Sequence, residues 1–460
     1  MVQQKEVLYD AERGNITIAL AGDCMITRRM SVFREERFLS LAERLRGADV
    51  VFANMETVVH SYNEGVGNVS YGTYMTTEPA LLDEIKWLGV NLVSCANNHA
   101  FNYGETGIQA TIRHLDEAKI AHAGSGGNLA EAREPAYLDT PGGRVALIAA
   151  TAFFNEWEAA EDQRVDMAGR AGINPFGFEK SFVLDKSSLQ ALRRVGQVLG
   201  LDVEKERRRN FGAHGIIPGD TEEQIDFLGQ KFVLGESPGV RTVCDEQDAL
   251  QNLKSIREAR RQADWVIFSL HNHELGGAAL LTAKQRRELE EPADFVKSFA
   301  RRCIDEGADV FVGHGPHFSL GMELYKGKPI FYSLGNFIYQ SGSLRRLPAF
   351  AYKRFGLGLE ATASDFADAR WGKDNAKGNP GNPLALQNII GHCEFENWKL
   401  KTVSLVPLDQ GFAKPRSQHG RPLLADETLA PKIIERIANL SARYGVKVRF
   451  SGGVGVVEVG

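Results

Sequence analysis

Five separate apolar, strand-like runs in this chain end in residues of a metal-ligand type, and no other feature constrains the fold as strongly. The runs are ITIALAGD, ending at Asp23; VVFANME, ending at Glu56; NLVSCANNH, ending at Asn98 and His99; VIFSLHNHE, carrying His271, His273 and Glu274; and VFVGHGPH, carrying His314 and His317. In α/β sheets, sites are built outside the carboxyl ends of the strands. The five endings therefore predict that one Asp, one Glu, one Asn and several His converge on one sheet edge as a polynuclear metal site.

Helical patterns separate the runs: FLSLAERLRGA (38–48), LLDEIKWLG (81–89), GIQATIRHLDEA (107–118) and the amphipathic DFVKSFARRCIDEGA (294–308). Strand-length runs alternating with such helices indicate a layered α/β fold. The tetrapeptides ADVV (48–51), ADWV (263–266) and ADVF (308–311) each close a helical pattern and open a strand, which predicts an equivalent corner at each. Three parts follow: 1–154 as the first part of the α/β domain, 155–255 as an insertion capping the site, and 256–460 as the second part with a C-terminal extension. The charge run Glu204–Arg209 reads as a solvated helix face, and WGKDNAKGNPGNPLA (371–385) as a loop.

A net charge of -5 on 460 residues leaves no electrostatic footprint for nucleic acid. No apolar run approaches the roughly 20 residues of a membrane helix, and MVQQKEVLYDAERGN lacks the pattern of a secretory signal. The five cysteines are odd in number and contain no C-x-x-C pair. Cys24 and Cys95 read as small buried hydrophobes. The expectation is a cytoplasmic protein with neither a nucleic-acid nor a membrane partner; its oligomeric state is not legible.

Asp and Glu offer hard oxygen ligands and His a borderline nitrogen, a mixture that suits one or two ions of Mn, Zn or Fe better than Mg or Ca. Two ions generally share a bridging carboxylate, for which Asp23 and Glu56 both qualify. In ANNHA the Asn98 amide oxygen is a ligand candidate and His99 a general acid or base. His271 and His273 share a face of an extended segment, and the glycines of GHGPH let backbone turn closely around an ion. Alone, Asp23 reads equally as a turn residue or helix N-cap and Glu56 equally as an ion-pair partner. His114, His122, His214 and His392 lack companions and read as structural or exposed, while His60 is a weaker candidate. Arg28 and Arg29, just past Asp23, are the candidates for a substrate carboxylate.

Taken together, GDCM, NMET, ANNHA, SLHNHE and GHGPH followed by SLGNF resemble the signature of CapA-like proteins, the capsule-synthesis poly-γ-glutamate family, itself similar to calcineurin-like metallophosphoesterases. The resemblance spans about residues 16–154 and 260–340. It implies a four-layer sandwich of two mixed sheets flanked by helices, with a metal-centred site on one edge. It also implies Asp23 as the first metal ligand, Glu56 as the bridging acid, Asn98 as the amide ligand and His99 as the catalytic histidine. His271 with His273 match the later metal histidine, His314 with His317 the final pair, and Asn336 of SLGNF lies near the site with a substrate-binding role open to it. One departure stands out: where metallophosphatases open with D-x-H, Asp23 is followed by Cys24 and Met25.

The leading expectation is a divalent-metal-dependent hydrolase of a small peptide or (poly-)γ-glutamyl amide, working through metal-activated water with His99 protonating the leaving group. The alternatives are a peptide Cα-epimerase using Asp23 and a histidine such as His314 as an acid–base pair, a phosphoesterase, and a non-catalytic component of capsule machinery.

Overall fold

A computed structural model describes residues 10–68, 70, 72–211, 219–276, 290–412 and 414–459; His214 lies outside them. Two compact units emerge, one of residues 1–176, 247–273 and 299–460, the other of residues 177–246 and 274–298. Residues 155–176, grouped by sequence with the insertion, fall in the first unit. Gly172–Ile173 pairs with Ser125–Gly126, and Asn174 donates to the Ala149 carbonyl and to Asn252.

The first unit contains two large mixed sheets. In the ten-stranded sheet, Ile16–Met25 lies between Gln387–Glu396 and Val50–Asn54, followed by Leu92–Ser94 and Ala121–Ala123; Asn336–Tyr339 pairs with Ile16–Met25 off this path. The six-stranded sheet runs Met322–Tyr325, Lys328–Phe331, Val310–His314, Trp265–His271, Gly143–Thr151 and Ala136–Thr140. Val50–Asn54, Trp265–His271 and Val310–His314 are buried along their whole length. That is why they read as unbroken apolar runs and not as alternating ones.

Side-chain alternation distributes these strands between two cores. Ile18 and Leu20 face a core shared with Leu147, Ile267 and Val312 of the other sheet. Ala19 and Ala21, one residue out of phase, pack with Phe38, Leu41, Ile85 and Leu115 from helices Glu36–Arg46, Leu82–Trp87 and Gly104–Ala118.

The three Ala-Asp tetrapeptides share one device. Asp49 accepts from the Thr17 N–H at 2.8 Å, Asp264 from the Arg144 N–H at 2.7 Å and Asp309 from the Val266 N–H at 2.9 Å. Each carboxylate thus satisfies a backbone donor of the adjacent parallel strand as its own strand begins, a group that would otherwise be left unpaired at the sheet margin.

The second unit holds a four-stranded sheet in the order Gln224–Phe227, Gln230–Leu234, Phe178–Leu184 and Gly239–Cys244. Helix Leu201–Phe211 has no buried residue, and Glu204 pairs with Arg207 and Arg208 along its surface. Among the described residues, no helix is long and apolar enough to cross a membrane.

Candidate metal centre

Parallel pairing places the strand-end residues side by side. Asp23 is in register with Asn54 on one neighbouring strand and with Asn336 on another, and His271 with His314. The resulting cluster joins both sheets. Asp23 Oδ1 lies 3.6 Å from His314 Nδ1 and 3.9 Å from His271 Nδ1, while Asp23 Oδ2 lies 3.3 Å from His317 Nδ1. Glu56 lies 3.8 Å from His99 Nε2, 3.9 Å from His271 Nε2 and 3.8 Å from His317 Nδ1. Two sets of ligand atoms are close enough to hold an ion: Asp23, His271 and His314, and Glu56, His273 and His317. Asn98 Oδ1 joins them at 2.8 Å from His271 Nε2.

A chain of amides orients these groups. Asn97 accepts the His99 N–H at 3.1 Å and donates from Nδ2 to the Met55 carbonyl at 2.9 Å and to Asn54 Oδ1 at 3.3 Å. Asn54 must then present Nδ2 to Asp23 Oδ1 at 2.9 Å, with His271 Nδ1 at 3.2 Å. Asn102 works the same way on His99. Its Oδ1 accepts the Met75 N–H at 3.0 Å and its Nδ2 donates to Ser70 Oγ at 3.1 Å, so the oxygen faces His99 Nδ1 at 2.9 Å. An oxygen there requires the proton on Nδ1, which leaves Nε2 unprotonated in the neutral ring. Ser269 Oγ holds His314 Nε2 at 2.7 Å. His317 adopts φ 66 after Gly315 at φ 116, a left-handed turn that turns the histidine back toward Asp23.

Burial divides the two carboxylates. Asp23 is pushed up by burial, but hydrogen bonds and charges from His317, His314 and Asn54 outweigh this and hold it below the usual range. Glu56 is driven well above the usual range, by burial first and by the Asp23 charge second. Among the described residues, neither buried Glu56 oxygen has a hydrogen-bond partner. Burial also pushes His99 and His314 down to about 4, His273 down to about 3, and His271 well below its ordinary value. His99, His271, His273 and His314 are therefore neutral donors of nitrogen lone pairs.

Beside the cluster is a cleft of about 550 Å³ lined by Asn98, His99, His273 and His317 together with Met25, Phe153, Phe154, Glu158, Tyr339, Arg370 and Trp371. Met25 stands where a D-x-H motif would place its histidine. The structure brings Asp23, Glu56, Asn98, His99, His271, His273, His314 and His317 together. It does not bring Arg28, whose guanidinium donates to the Ser417 and His419 carbonyls outside the cleft lining. Asn336 is placed behind His317: its Oδ1 lies 3.0 Å from His317 Nδ1 and its Nδ2 donates to the Ala385 carbonyl, so it orients a histidine and does not face the cleft. Asp23 and His314, one pairing open to the epimerase alternative, are fully buried and 3.6 Å apart, too close to admit a substrate carbon between them.

His60 stacks on Tyr103 at 4.3 Å, and His114, His122 and His392 face Glu64, Asp116 and Glu394 away from the cluster. Sequence reasoning missed Asn54, Asn97, Asn102 and Ser269. The asparagines lie within a few residues of Glu56 or His99, and that proximity was the available signal. Arg370 carried none.

Strand-end ligands, two mixed sheets and an adjoining cleft define an α/β protein with a candidate metal-binding edge. Residues 17–341 match the family described as bacterial capsule synthesis protein PGA_cap, and the chain belongs to that family. It is 32% identical over 458 residues to the uncharacterized protein y4sH of Sinorhizobium fredii, covering 96% of this chain and 93% of that one. The PGA biosynthesis protein CapA of Bacillus subtilis is 23% identical over 77% of this chain and 72% of its own length. The capsule biosynthesis protein CapA of Bacillus anthracis is 22% identical over 73% of this chain and 62% of its own.

Proposed function

We propose that this protein is a divalent-metal-dependent hydrolase of an amide bond in a peptide or γ-glutamyl compound, built on a four-layer metallophosphoesterase-like sandwich. Glu56 carries the reading: a fully buried carboxylate with no hydrogen-bond donor on either oxygen, next to a second buried carboxylate, Asp23. Burial and the neighbouring Asp23 charge oppose ionisation of Glu56. A cation resolves that conflict, and the oxygen and imidazole donors suit Mn, Zn or Fe. The residues fit one ion at Asp23, His271 and His314, and a second at Glu56, His273 and His317. When bound, a divalent ion polarises a carbonyl oxygen and lowers the pKa of a water to about 7.

The chain supplies the proton chemistry. His99 Nε2, unprotonated and on the cleft wall, takes up a proton and passes it to the leaving nitrogen, while Asn102 holds the ring at Nδ1. Asn54 and Asn336 keep Asp23 and His317 in place. Phe153, Phe154 and Trp371 give the cleft apolar walls that reduce competing water. The Bacillus relatives are named for PGA and capsule biosynthesis, which favours a γ-glutamyl substrate over a phosphoester.

The test combines metal analysis of protein purified without chelator with mass spectrometry of a γ-glutamyl peptide incubated in deuterated water. New termini that disappear with chelator, and in the Asp23→Ala protein, are expected. Deuterium at an α-carbon without cleavage, or undiminished cleavage by metal-free protein, overturns the reading.

A further inference from the structure

The cleft carries a positive charge that the hydrolytic reading does not use. Arg370 sits near the end of helix Ala363–Trp371, beyond the stretch that matches the family, and lines the same cleft as His99, His273 and His317. Its guanidinium carbon lies 5.4 Å from the Trp371 ring centroid and 5.8 Å from that of Phe355. Among the described residues its Nε is buried with no hydrogen-bond partner. Among those residues the charged or ionisable neighbours that act on it are Tyr339 and Arg354, with no carboxylate. Its own charge is felt at His99 and at Tyr339, both on the cleft wall.

A half-buried cation between aromatic rings loses hydration without gaining a counter-ion. Such a charge is satisfied by an anion arriving from outside. The planar fork of arginine matches a carboxylate with two parallel hydrogen bonds, and the rings supply cation–π contact. The same fork can pair with a phosphate, so the two anions are set against each other below.

We infer that Arg370 receives a free carboxylate of the substrate, so that the cleft takes an acidic amide compound with its anionic end on Arg370 and its amide at the histidine cluster. The inference rests on the hydrolytic reading for the position of the amide, but its own observable is anion discrimination.

Calorimetric titration with a γ-glutamyl tripeptide bearing free carboxylates, and with the same peptide as its carboxamide, tests it on the wild-type protein and on Arg370→Gln and Arg370→Lys. Metal content and thermal midpoint are measured on each preparation. The wild type is expected to bind the carboxylate form about tenfold or more tighter, the advantage of a charge-assisted hydrogen bond. Arg370→Gln is expected to erase that preference and Arg370→Lys to keep part of it, with metal content unchanged. Equal binding of the two peptides by the wild type, no binding of either, or discrimination surviving in Arg370→Gln overturns the inference. So does phenyl phosphate binding in an Arg370-dependent manner more tightly than the carboxylate peptide. Failure of the hydrolytic reading shows separately, as missing metal or missing cleavage with the carboxylate preference intact.

Discussion

His99 Nδ1 lies 2.9 Å from Asn102 Oδ1, and this contact decides which nitrogen of the histidine is available for chemistry. The orientation of Asn102 is not arbitrary: the Met75 N–H occupies its oxygen and Ser70 Oγ its nitrogen. A four-residue stretch of backbone, His99 to Asn102, thus carries both the reactive ring and the group that sets its tautomer.

Asn102→Leu is expected to reduce kcat for a cleaved γ-glutamyl peptide about a hundredfold, the lower end of what a positioned acid–base group contributes, with KM little changed. It also leaves the Met75 N–H without its acceptor, at a cost of about 1–3 kcal/mol in urea denaturation. Full kcat in a destabilised protein would show that Asn102 supports the fold without orienting His99.

Glu56→Met removes a buried carboxylate that has no donor. In chelator-treated protein this variant is expected to be more stable than the wild type by about 1–3 kcal/mol, since an unsatisfied buried polar group is lost. Saturating Mn²⁺ should reverse the order, because an ion at 100 times its Kd adds about 2.7 kcal/mol to a protein that binds it. Thermal unfolding with and without the ion measures both. A wild type that stays more stable than the variant in chelator contradicts the account of Glu56.

Gly22 precedes Asp23 where two backbones meet: a Cβ there would stand 1.8 Å from the Gly335 carbonyl oxygen, which also accepts the Asp23 N–H at 2.8 Å. Gly22→Ala is expected to cost at least about 1–3 kcal/mol, as overpacking does, and to lower metal content by displacing Asp23. Gly358, with open space around it, is the control, and its Ala variant should fall within about 0.5 kcal/mol of the wild type. Equal stability of the two variants would refute the close approach.

Glu64 ties the segment after strand Val58–Val59 to helix Gly104–Ala118, accepting from the Ser61 N–H at 2.8 Å and lying 2.9 Å from His114 Nε2, with Arg113 also paired. Burial pushes its carboxyl up, but the Ser61 and His114 hydrogen bonds outweigh it and bring the pKa down to about 2. A folded-state value below the ordinary 4.5 means the stabilisation is complete above pH 4.5 and is lost as pH falls toward 2. The stability difference between wild type and Glu64→Gln should therefore be largest above pH 5 and shrink below 4.5. A difference that stays constant across that window removes Glu64 as its source.

The strand-end residues were legible because a ligand at the close of an apolar run announces both its element and its place on that element. Asp23, Glu56, His271 and His314 all came from that pattern, and the Ala-Asp corners came from repetition. Ser269 was not legible: a lone polar residue inside an apolar run looks the same whether it orients a histidine or merely caps a turn. Arg28 misled for the opposite reason. It is three residues from the cleft-lining Met25, yet its side chain is taken up by carbonyls of residues 417 and 419.

The sequence by itself determined the elements, the kinds of ligand and the family, since each depends on local periodicity or on the chemical identity of residues within short motifs. Only the tertiary structure decided that His271 stands in register with His314, that Asn54 turns its nitrogen to Asp23, and that Arg370 lines the cleft with no counter-ion among the described residues. Those relations join residues tens to hundreds of positions apart. They are set by strand register and by which carbonyl or carboxylate each polar group meets on packing, information that no single segment contains.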